Sequence, residues 1–136
     1  MADPYLDSNI VISLIEGGPT EKAALVARLD GLTGSDGRCV ITHLVRLECR
    51  VKPIATGDAA LLHDYDEWFA SADVTIAGLT ASAYDTATEI RARHRFAVAD
   101  SLHLAAAIEA GCDAFVTADA QLAGFGEIPV VLLRPS

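Results

Sequence analysis

Apolar residues follow two alternating patterns along this chain. Short runs rich in β-branched and aromatic residues, as in buried strands, occupy 5–7, 39–42, 74–76, 115–117 and 130–133. Between these runs, apolar residues recur at helical spacing over 9–15, 20–32, the segment after Thr42, the segment after Asp58, 80–94 and 100–111. Because strands alternate with helices, we predict a three-layer α/β/α fold with a mainly parallel central sheet.

Polar residues mark where several of these helices begin. Thr42, Asp58 and Thr80 stand directly before helical segments, and Thr and Asp are residue types that cap helix N-termini. The helix after Asp58 carries an apolar stripe, which we assign to the core or to a subunit interface: Leu61, Leu62, Tyr65, Trp68 and Phe69.

Length and composition narrow the class of protein. The 136 residues predict one domain over 1–136, and a content of 51% hydrophobic and 21% charged residues excludes global disorder. No run approaches the roughly 20 apolar residues of a membrane span, and no basic segment precedes the first apolar run, so neither a membrane location nor a secretory signal is expected. Cys39, Cys49 and Cys112 form no C-x-x-C pair, which fits reduced thiols in a cytoplasmic protein.

Four carboxylates stand where apolar segments meet turns or helices: Asp7, Glu48, Asp100 and Asp119. Asp7 ends the first strand, and Asp119 closely follows the strand that ends at Thr117. In open parallel sheets, ligands bind beyond the carboxyl ends of the strands, and the helix of Asp100 is expected to leave the same rim. Acids that converge there form an oxygen-only site suited to Mg²⁺ or Mn²⁺.

Glu48 is expected to face inward from its helix. The residues one turn away are mostly apolar: Leu44, Val45, Val51 and, as the exception, Lys52. A carboxylate on an apolar face is costly unless it is paired or bound to a metal. This position therefore favours a ligand role.

Each of these residues also has a purely structural interpretation. Asp7, Asp100 and Asp119 all precede helical sequence, so each alone is a candidate N-cap, and Glu48 alone could pair with a nearby base. His103 is expected to be a hydrogen-bonded core or rim residue rather than a ligand. Three other polar residues either cap and turn the chain or orient metal-bound water: Ser8, Asn9 and Thr117.

The formal net charge of −9 argues against nucleic-acid binding through a generally basic surface. The four candidate ligands account for four of these charges, which two divalent ions would offset. The bases are clustered, with Arg46, Arg50 and Lys52 around Glu48, and with a second group before Asp100. In that group, Arg91, Arg93 and Arg95 either complement a helix C-terminus or contact backbone phosphates, and both interpretations stay open.

The order of several motifs resembles that of the PIN-domain ribonucleases. These motifs are Leu-Asp-Ser-Asn at 6–9, a helical Glu at 48, Ala-Asp-Ser-Leu-His-Leu-Ala-Ala-Ala at 99–107 and Phe-Val-Thr-Ala-Asp at 115–119. The resemblance covers essentially 5–133, and the single-domain length is similar to that of the VapC toxins of bacterial type II toxin–antitoxin systems. One departure is Ala118, where family members often carry Asn.

The resemblance implies an endoribonuclease. Asp7, Glu48, Asp100 and Asp119 would be the acidic ligands of Mg²⁺ or Mn²⁺, with Thr117 as their hydroxyl neighbour; the fourth acid is the least uniform in the family. Water activated by the metal would hydrolyse the phosphodiester and leave 5′-phosphate and 3′-hydroxyl ends.

The resemblance also implies a cognate antitoxin protein as partner. We expect it to insert an Arg or Lys among the carboxylates and to dock a helix in an apolar groove, for which the stripe after Asp58 is one lining. A homodimer is expected, because joining two basic patches would lengthen an RNA-binding groove on an acidic protein.

Other classes fit less well. A haloacid-dehalogenase-type phosphatase needs a second Asp two positions after the first, where this chain has Asn9. A response-regulator receiver domain needs an early acidic pair and a late lysine, whereas Asp3 and Asp7 are poorly spaced and the last lysine is Lys52. A non-catalytic RNA-binding PIN-like module stays open as the alternative.

Overall fold

The computed structural model describes residues 3–33 and 37–133, which form a parallel sheet flanked by helices. Its strands are β1 (Tyr5–Leu6), β2 (Cys39–Thr42), β3 (Val74–Ala77), β4 (Phe115–Thr117) and β5 (Val130–Leu132). They pair in the order β3-β2-β1-β4-β5, and every pair is parallel. The predicted α/β/α fold is confirmed.

The helices connect successive strands, as parallel pairing requires. They are α1 (Ser8–Glu16), α2 (Pro19–Thr33), α3 (His43–Thr56), α4 (Ala59–Phe69), α5 (Ala81–His94) and α6 (Val98–Glu109), followed by a short 3₁₀ helix (Ala120–Leu122). No helix in 3–33 or 37–133 is long and apolar enough to cross a membrane.

Two of the three predicted caps form as expected. The Asp58 side chain accepts a hydrogen bond from the backbone of Leu61 at 3.0 Å, and Thr80 accepts one from Ala83 at 3.1 Å. Thr42 occupies the N-cap position of α3, but its side chain makes no capping hydrogen bond. Its hydroxyl lies 3.0 Å from the hydroxyl of Tyr5 instead.

Helix α6 begins two residues earlier than predicted. Its N-cap position is Ala97, so Asp100 lies within the first turn and the prediction of Asp100 as an N-cap is wrong. A carboxylate in the first turn still interacts favourably with the positive end of the helix dipole.

The core lies between the sheet and the helices that cover it. Tyr5 and Phe115, on neighbouring strands, stack with ring centroids 5.4 Å apart, and residues 101–107 of α6 are all buried. In the stripe on α4, Tyr65 and Phe69 belong to the core, whereas Leu61, Leu62 and Trp68 are half-buried.

The three cysteines are unpaired, in agreement with the sequence expectation. Burial raises the pKa of the Cys39 and Cys49 thiols to about 12 and that of Cys112 to about 11. These thiols are therefore protonated at neutral pH, and none is an activated nucleophile.

The cap on α4 offers a direct test of the fold. Asp58→Ala removes the side-chain acceptor for Leu61 and should lower the free energy of unfolding by about 1 kcal/mol, whereas Asp58→Asn, which still caps, should stay close to the parent. Urea denaturation followed by circular dichroism measures both. Equal stabilities for the Ala and Asn variants would contradict the assigned cap.

Candidate active site

The pairing of β1 with β4 brings Asp7 and Thr117 together at the carboxyl ends of two neighbouring strands. Leu6 is in register with Val116, and the backbone N–H of Asp7 donates to the Val116 carbonyl at 2.9 Å. The side chains that follow these strands therefore emerge at one rim of the sheet.

Asp7 is almost fully buried and accepts hydrogen bonds on both carboxylate oxygens. Oδ1 accepts from the backbone N–H of Ser8 at 2.8 Å, and Oδ2 accepts from Thr117 Oγ1 at 2.8 Å and from Asn9 Nδ2 at 3.3 Å. Asn9 is itself held by the N–H of Ala118, which donates to Asn9 Oδ1 at 3.0 Å. The orientation of Asp7 is thus set by its neighbours.

Glu48 approaches Asp7 from α3. Its Oε1 accepts from Ser8 Oγ at 2.7 Å and from His103 Nε2 at 2.5 Å. The same His103 nitrogen lies 3.9 Å from Asp7 Oδ1. Ser8 and His103 therefore each contact both carboxylates, which places Asp7 and Glu48 side by side.

The expectation that Glu48 lies on an apolar inward face is only partly right. The buried stripe of α3 consists of Val45, Cys49 and Pro53, whereas Val51 is 57% exposed. Glu48 lies at the edge of this stripe, with a third of its side chain exposed. Burial alone would raise the pKa of Glu48, but hydrogen bonds from His103 and Ser8 outweigh it, so the pKa is lowered and the carboxylate is ionised at neutral pH.

Asp119 reaches the rim from the segment after β4. Its Oδ1 caps the 3₁₀ helix by accepting from the N–H of Gln121 at 2.9 Å, so the capping interpretation is correct for this residue. Its own N–H donates to Thr117 Oγ1 at 3.0 Å. The Thr117 hydroxyl thus connects Asp119 to Asp7.

Asp100 is coupled to the other three acids. Its pKa is raised, first by burial and then by the negative charges of Asp7, Asp119 and Glu48, although nearby His103 opposes the shift. The described residues supply no hydrogen-bond donor to the Asp100 carboxylate. Asp100 therefore interacts electrostatically with each of the other three predicted acids.

The chemistry of this donor set fits a hard divalent cation. Carboxylate oxygens are the ligands that Mg²⁺ and Mn²⁺ prefer, and a cation would relieve the repulsion at Asp100. Within 3–33 and 37–133, however, no three His, Cys, Asp or Glu side chains are arranged closely enough to hold a metal ion between them. Binding of one ion by three or more of these carboxylates therefore requires them to turn towards one another.

The two basic clusters differ in their surroundings. Arg50 and Lys52 form ion pairs with Asp66 and Glu16, each at 2.9 Å, and Arg46 lies over the Phe69 ring. The three arginines near the end of α5 are exposed and close in sequence to the first turn of α6: Arg91, Arg93 and Arg95. Two of them also have partners, because Arg91 donates to the Phe96 carbonyl at 2.6 Å and Arg93 lies 3.9 Å from the Glu89 carboxylate. Their place in and just beyond the last turn fits the helix-terminus interpretation and leaves them accessible to a ligand.

Sequence reasoning missed the part played by Tyr5 and Thr42. The Tyr5 hydroxyl lies 2.7 Å from His103 Nδ1, so these residues form a buried polar group behind Glu48. His103 is buried and hydrogen-bonded, as expected. A tyrosine in an otherwise apolar central strand was the available signal, because a buried hydroxyl needs a partner.

The sequence matches the PIN domain family over residues 5–128, and the chain belongs to this family. No curated protein matches the sequence.

Solved structures with the same fold come from several bacteria. VapBC2 of Rickettsia felis, bound to a promoter DNA fragment, matches with a TM-score of 0.75 and 15% identity over 95% of this chain and 97% of that one. A toxin–antitoxin complex of Klebsiella pneumoniae gives 0.70 and 17% over 96% of each chain. VapC20 of Mycobacterium tuberculosis, a toxin that cleaves the sarcin–ricin loop, gives 0.68 and 17% over 93% of this chain and 99% of that one. At these identities, the likeness demonstrates the shared fold.

The raised pKa of Asp100 predicts a pH-dependent effect on stability. Folding makes Asp100 harder to ionise, so the metal-free protein loses stability as the pH rises from the unfolded value, about 3.9, through the raised folded value. Asp100→Asn should therefore raise the melting temperature of metal-free protein at pH 7, with a smaller gain near pH 4. Asp64→Asn on the exposed face of α4 is the control. A melting temperature of Asp100→Asn at or below the parent's at pH 7 would refute the coupling.

Proposed function

We propose that this PIN-domain protein is a metal-dependent endoribonuclease that acts as the toxin of a toxin–antitoxin pair. The observation that supports it most directly is the coupling of Asp100 to the three other carboxylates at one rim of the sheet. Gathering like charges in a partly buried site is unfavourable unless a cation offsets them. PIN-domain membership and a structural neighbour that cleaves RNA favour phosphodiester hydrolysis as the use of that cation.

Asp7, Glu48, Asp100 and Asp119 would hold one or two Mg²⁺ or Mn²⁺ ions. When bound, such ions supply the Lewis acidity that activates water and neutralises charge on the phosphate. Three residues support the ligands: the side chains of Asn9 and Thr117 orient Asp7, while Ser8 donates to Asp7 through its backbone N–H and to Glu48 through its hydroxyl.

RNA is the proposed substrate, and Arg91, Arg93 and Arg95 are its proposed backbone contacts. They are exposed near the end of α5, which leads directly into the helix that carries Asp100. Arginine contacts to phosphates position a strand without reading its sequence. Cleavage by an activated water would leave 5′-phosphate and 3′-hydroxyl ends.

The proposed partner is a cognate antitoxin, as in the toxin–antitoxin complexes that share this fold. An apolar groove of about 150 Å³ is large enough for one apolar side chain of a docked helix; its lining includes Leu6, Leu14, Val26, Leu29 and Trp68. Of the stripe on α4, Trp68 lines this groove, whereas Tyr65 and Phe69 are buried in the core. An Arg or Lys from the antitoxin would pair with the carboxylates and block the site.

A homodimer is proposed through the exposed face of α3. Leu47, Val51 and Ile54 are 57–59% exposed and lie at helical spacing, which makes one continuous apolar stripe. A second copy of the chain would remove this stripe from water.

Loss of one ligand tests the activity. Asp7→Asn should retain the fold, because Asn also caps a helix, but should reduce Mn²⁺-dependent RNA cleavage by more than the roughly 10–100-fold typical of residues that only support a ligand. Rates are measured on labelled RNA with and without EDTA, and Asp64→Asn is the matched control.

The same assay separates the alternatives. Parent-like cleavage by Asp7→Asn would disprove the proposed site, and cleavage that survives EDTA would disprove metal dependence. RNA binding without cleavage by the parent, at millimolar Mn²⁺, would favour the non-catalytic RNA-binding module.

The toxin role is tested in cells. Induction of the chain alone should arrest growth, and co-expression with the neighbouring open reading frame should restore growth and yield a complex in pull-down. Val26→Arg, which places a charge in the groove, should weaken that complex without reducing RNA cleavage by the purified toxin. Normal growth on induction together with failure to capture the neighbouring gene's product would refute the toxin role.

A further inference from the structure

A chain of hydrogen bonds runs from the centre of the sheet to Glu48. Thr42 Oγ1 lies 3.0 Å from the Tyr5 hydroxyl, which lies 2.7 Å from His103 Nδ1, and His103 Nε2 lies 2.5 Å from Glu48 Oε1. Thr42, Tyr5 and His103 are each at most 1% exposed. The chain therefore links β2, β1, α6 and α3 through groups that water does not reach.

An ionised Glu48 only accepts hydrogen bonds, so His103 carries a proton on Nε2. The bond between His103 Nδ1 and Tyr5 forms with either protonation of the ring, because the Tyr5 hydroxyl donates to an unprotonated Nδ1 and accepts from a protonated one. In the first case Thr42 donates to the Tyr5 oxygen, and in the second Tyr5 donates to Thr42. Burial raises the pKa of Tyr5 far above its ordinary range, so the phenol keeps its proton.

The Thr42 hydroxyl can form a hydrogen bond with Tyr5 because it does not cap α3. Leaving a buried hydroxyl or imidazole nitrogen without a hydrogen-bond partner costs free energy. Each member of the chain therefore restricts the orientation of the next. The imidazole has a hydrogen-bond partner on each nitrogen, which determines the orientation of its ring. Glu48, although partly exposed, receives the shorter of its two hydrogen bonds from the buried His103.

We propose that Tyr5 and Thr42 are positioning residues, which act through His103 to fix the Glu48 carboxylate, with Oε1 held and Oε2 left available to a ligand. The described residues provide no donor to Oε2. The ligand role of Glu48 rests on the proposed function, whereas the orientation of His103 and Glu48 does not. Groups that hold a metal ligand from behind commonly change metal affinity by about 10–100-fold.

Substitutions far from the rim test the proposal. Tyr5→Phe removes the partner of Nδ1, and Thr42→Val removes the next hydroxyl with little change of shape, while Thr42→Ser retains it. Tyr65→Phe is the matched control, since Tyr65 is equally buried and its hydroxyl donates to Glu16, outside this chain. Urea denaturation establishes that each variant is folded.

The first readout is the ¹⁵N spectrum of the histidine rings in metal-free protein. His103 is the only buried histidine of the four, so its slowly exchanging Nε2–H is distinguishable from those of His43, His63 and His94. Tyr5→Phe should shift this Nε2–H signal and weaken its hydrogen bond to Glu48. Thr42→Val should do so to a smaller extent, and Thr42→Ser and Tyr65→Phe should match the parent.

The second readout is Mn²⁺ affinity, measured by the electron paramagnetic resonance signal of free Mn²⁺. Tyr5→Phe should weaken binding about 10-fold and lower kcat for RNA with KM unchanged, while Tyr65→Phe should change neither.

A parent-like His103 signal in Tyr5→Phe, or an equal change in Tyr65→Phe, would overturn the positioning role. If the parent neither binds Mn²⁺ nor cleaves RNA, the proposed function falls, and the histidine spectrum still decides whether the chain orients His103.

Discussion

The parallel pairing of β1 with β4 is the constraint on which the rest of the site depends. β1 is only two residues long, yet it lies in the middle of the sheet, between β2 and β4. Its register determines that Asp7 leaves the sheet beside Thr117, whose hydroxyl then contacts both Asp7 and the backbone of Asp119. A shift of one residue would turn Asp7 to the opposite face of the sheet and separate it from these partners.

Around this pairing, the carboxylates differ in how far hydrogen bonds stabilise their negative charge. Burial raises the pKa of Asp100, which receives no hydrogen bond from the described residues, and the charges of Asp7, Asp119 and Glu48 raise it further. The pKa of Glu48 is lowered instead, because hydrogen bonds from His103 and Ser8 stabilise its charge and outweigh the effect of burial. The site therefore combines carboxylates that hydrogen bonds support with one that lacks this support.

Local patterns in the sequence were sufficient to predict much of this arrangement. Helical spacing and short apolar runs predicted the elements, and the rule for parallel sheets placed the acids at one rim. The predictions fail where the environment of a side chain depends on residues that are distant in sequence. Thr42 was expected to cap α3, but Tyr5, which is 37 positions away, takes its hydroxyl. Glu48 was expected to lie on an inward apolar face of α3, but Val51, one of its neighbours on the helix, is 57% exposed.

The large separation in sequence between the two sides of the site affects when the site can form during protein synthesis. Asp7 is synthesised before its partner Thr117, which lies 110 positions later in the chain. Until β4 has emerged, β1 lacks its neighbour on one side, and neither Asp100 nor Asp119 can join the cluster. Because domains fold as units and contacts of long sequence separation form late, a nascent chain has no assembled site. The topology thereby postpones assembly of the carboxylate cluster until β4 and the segment that carries Asp119 have been synthesised.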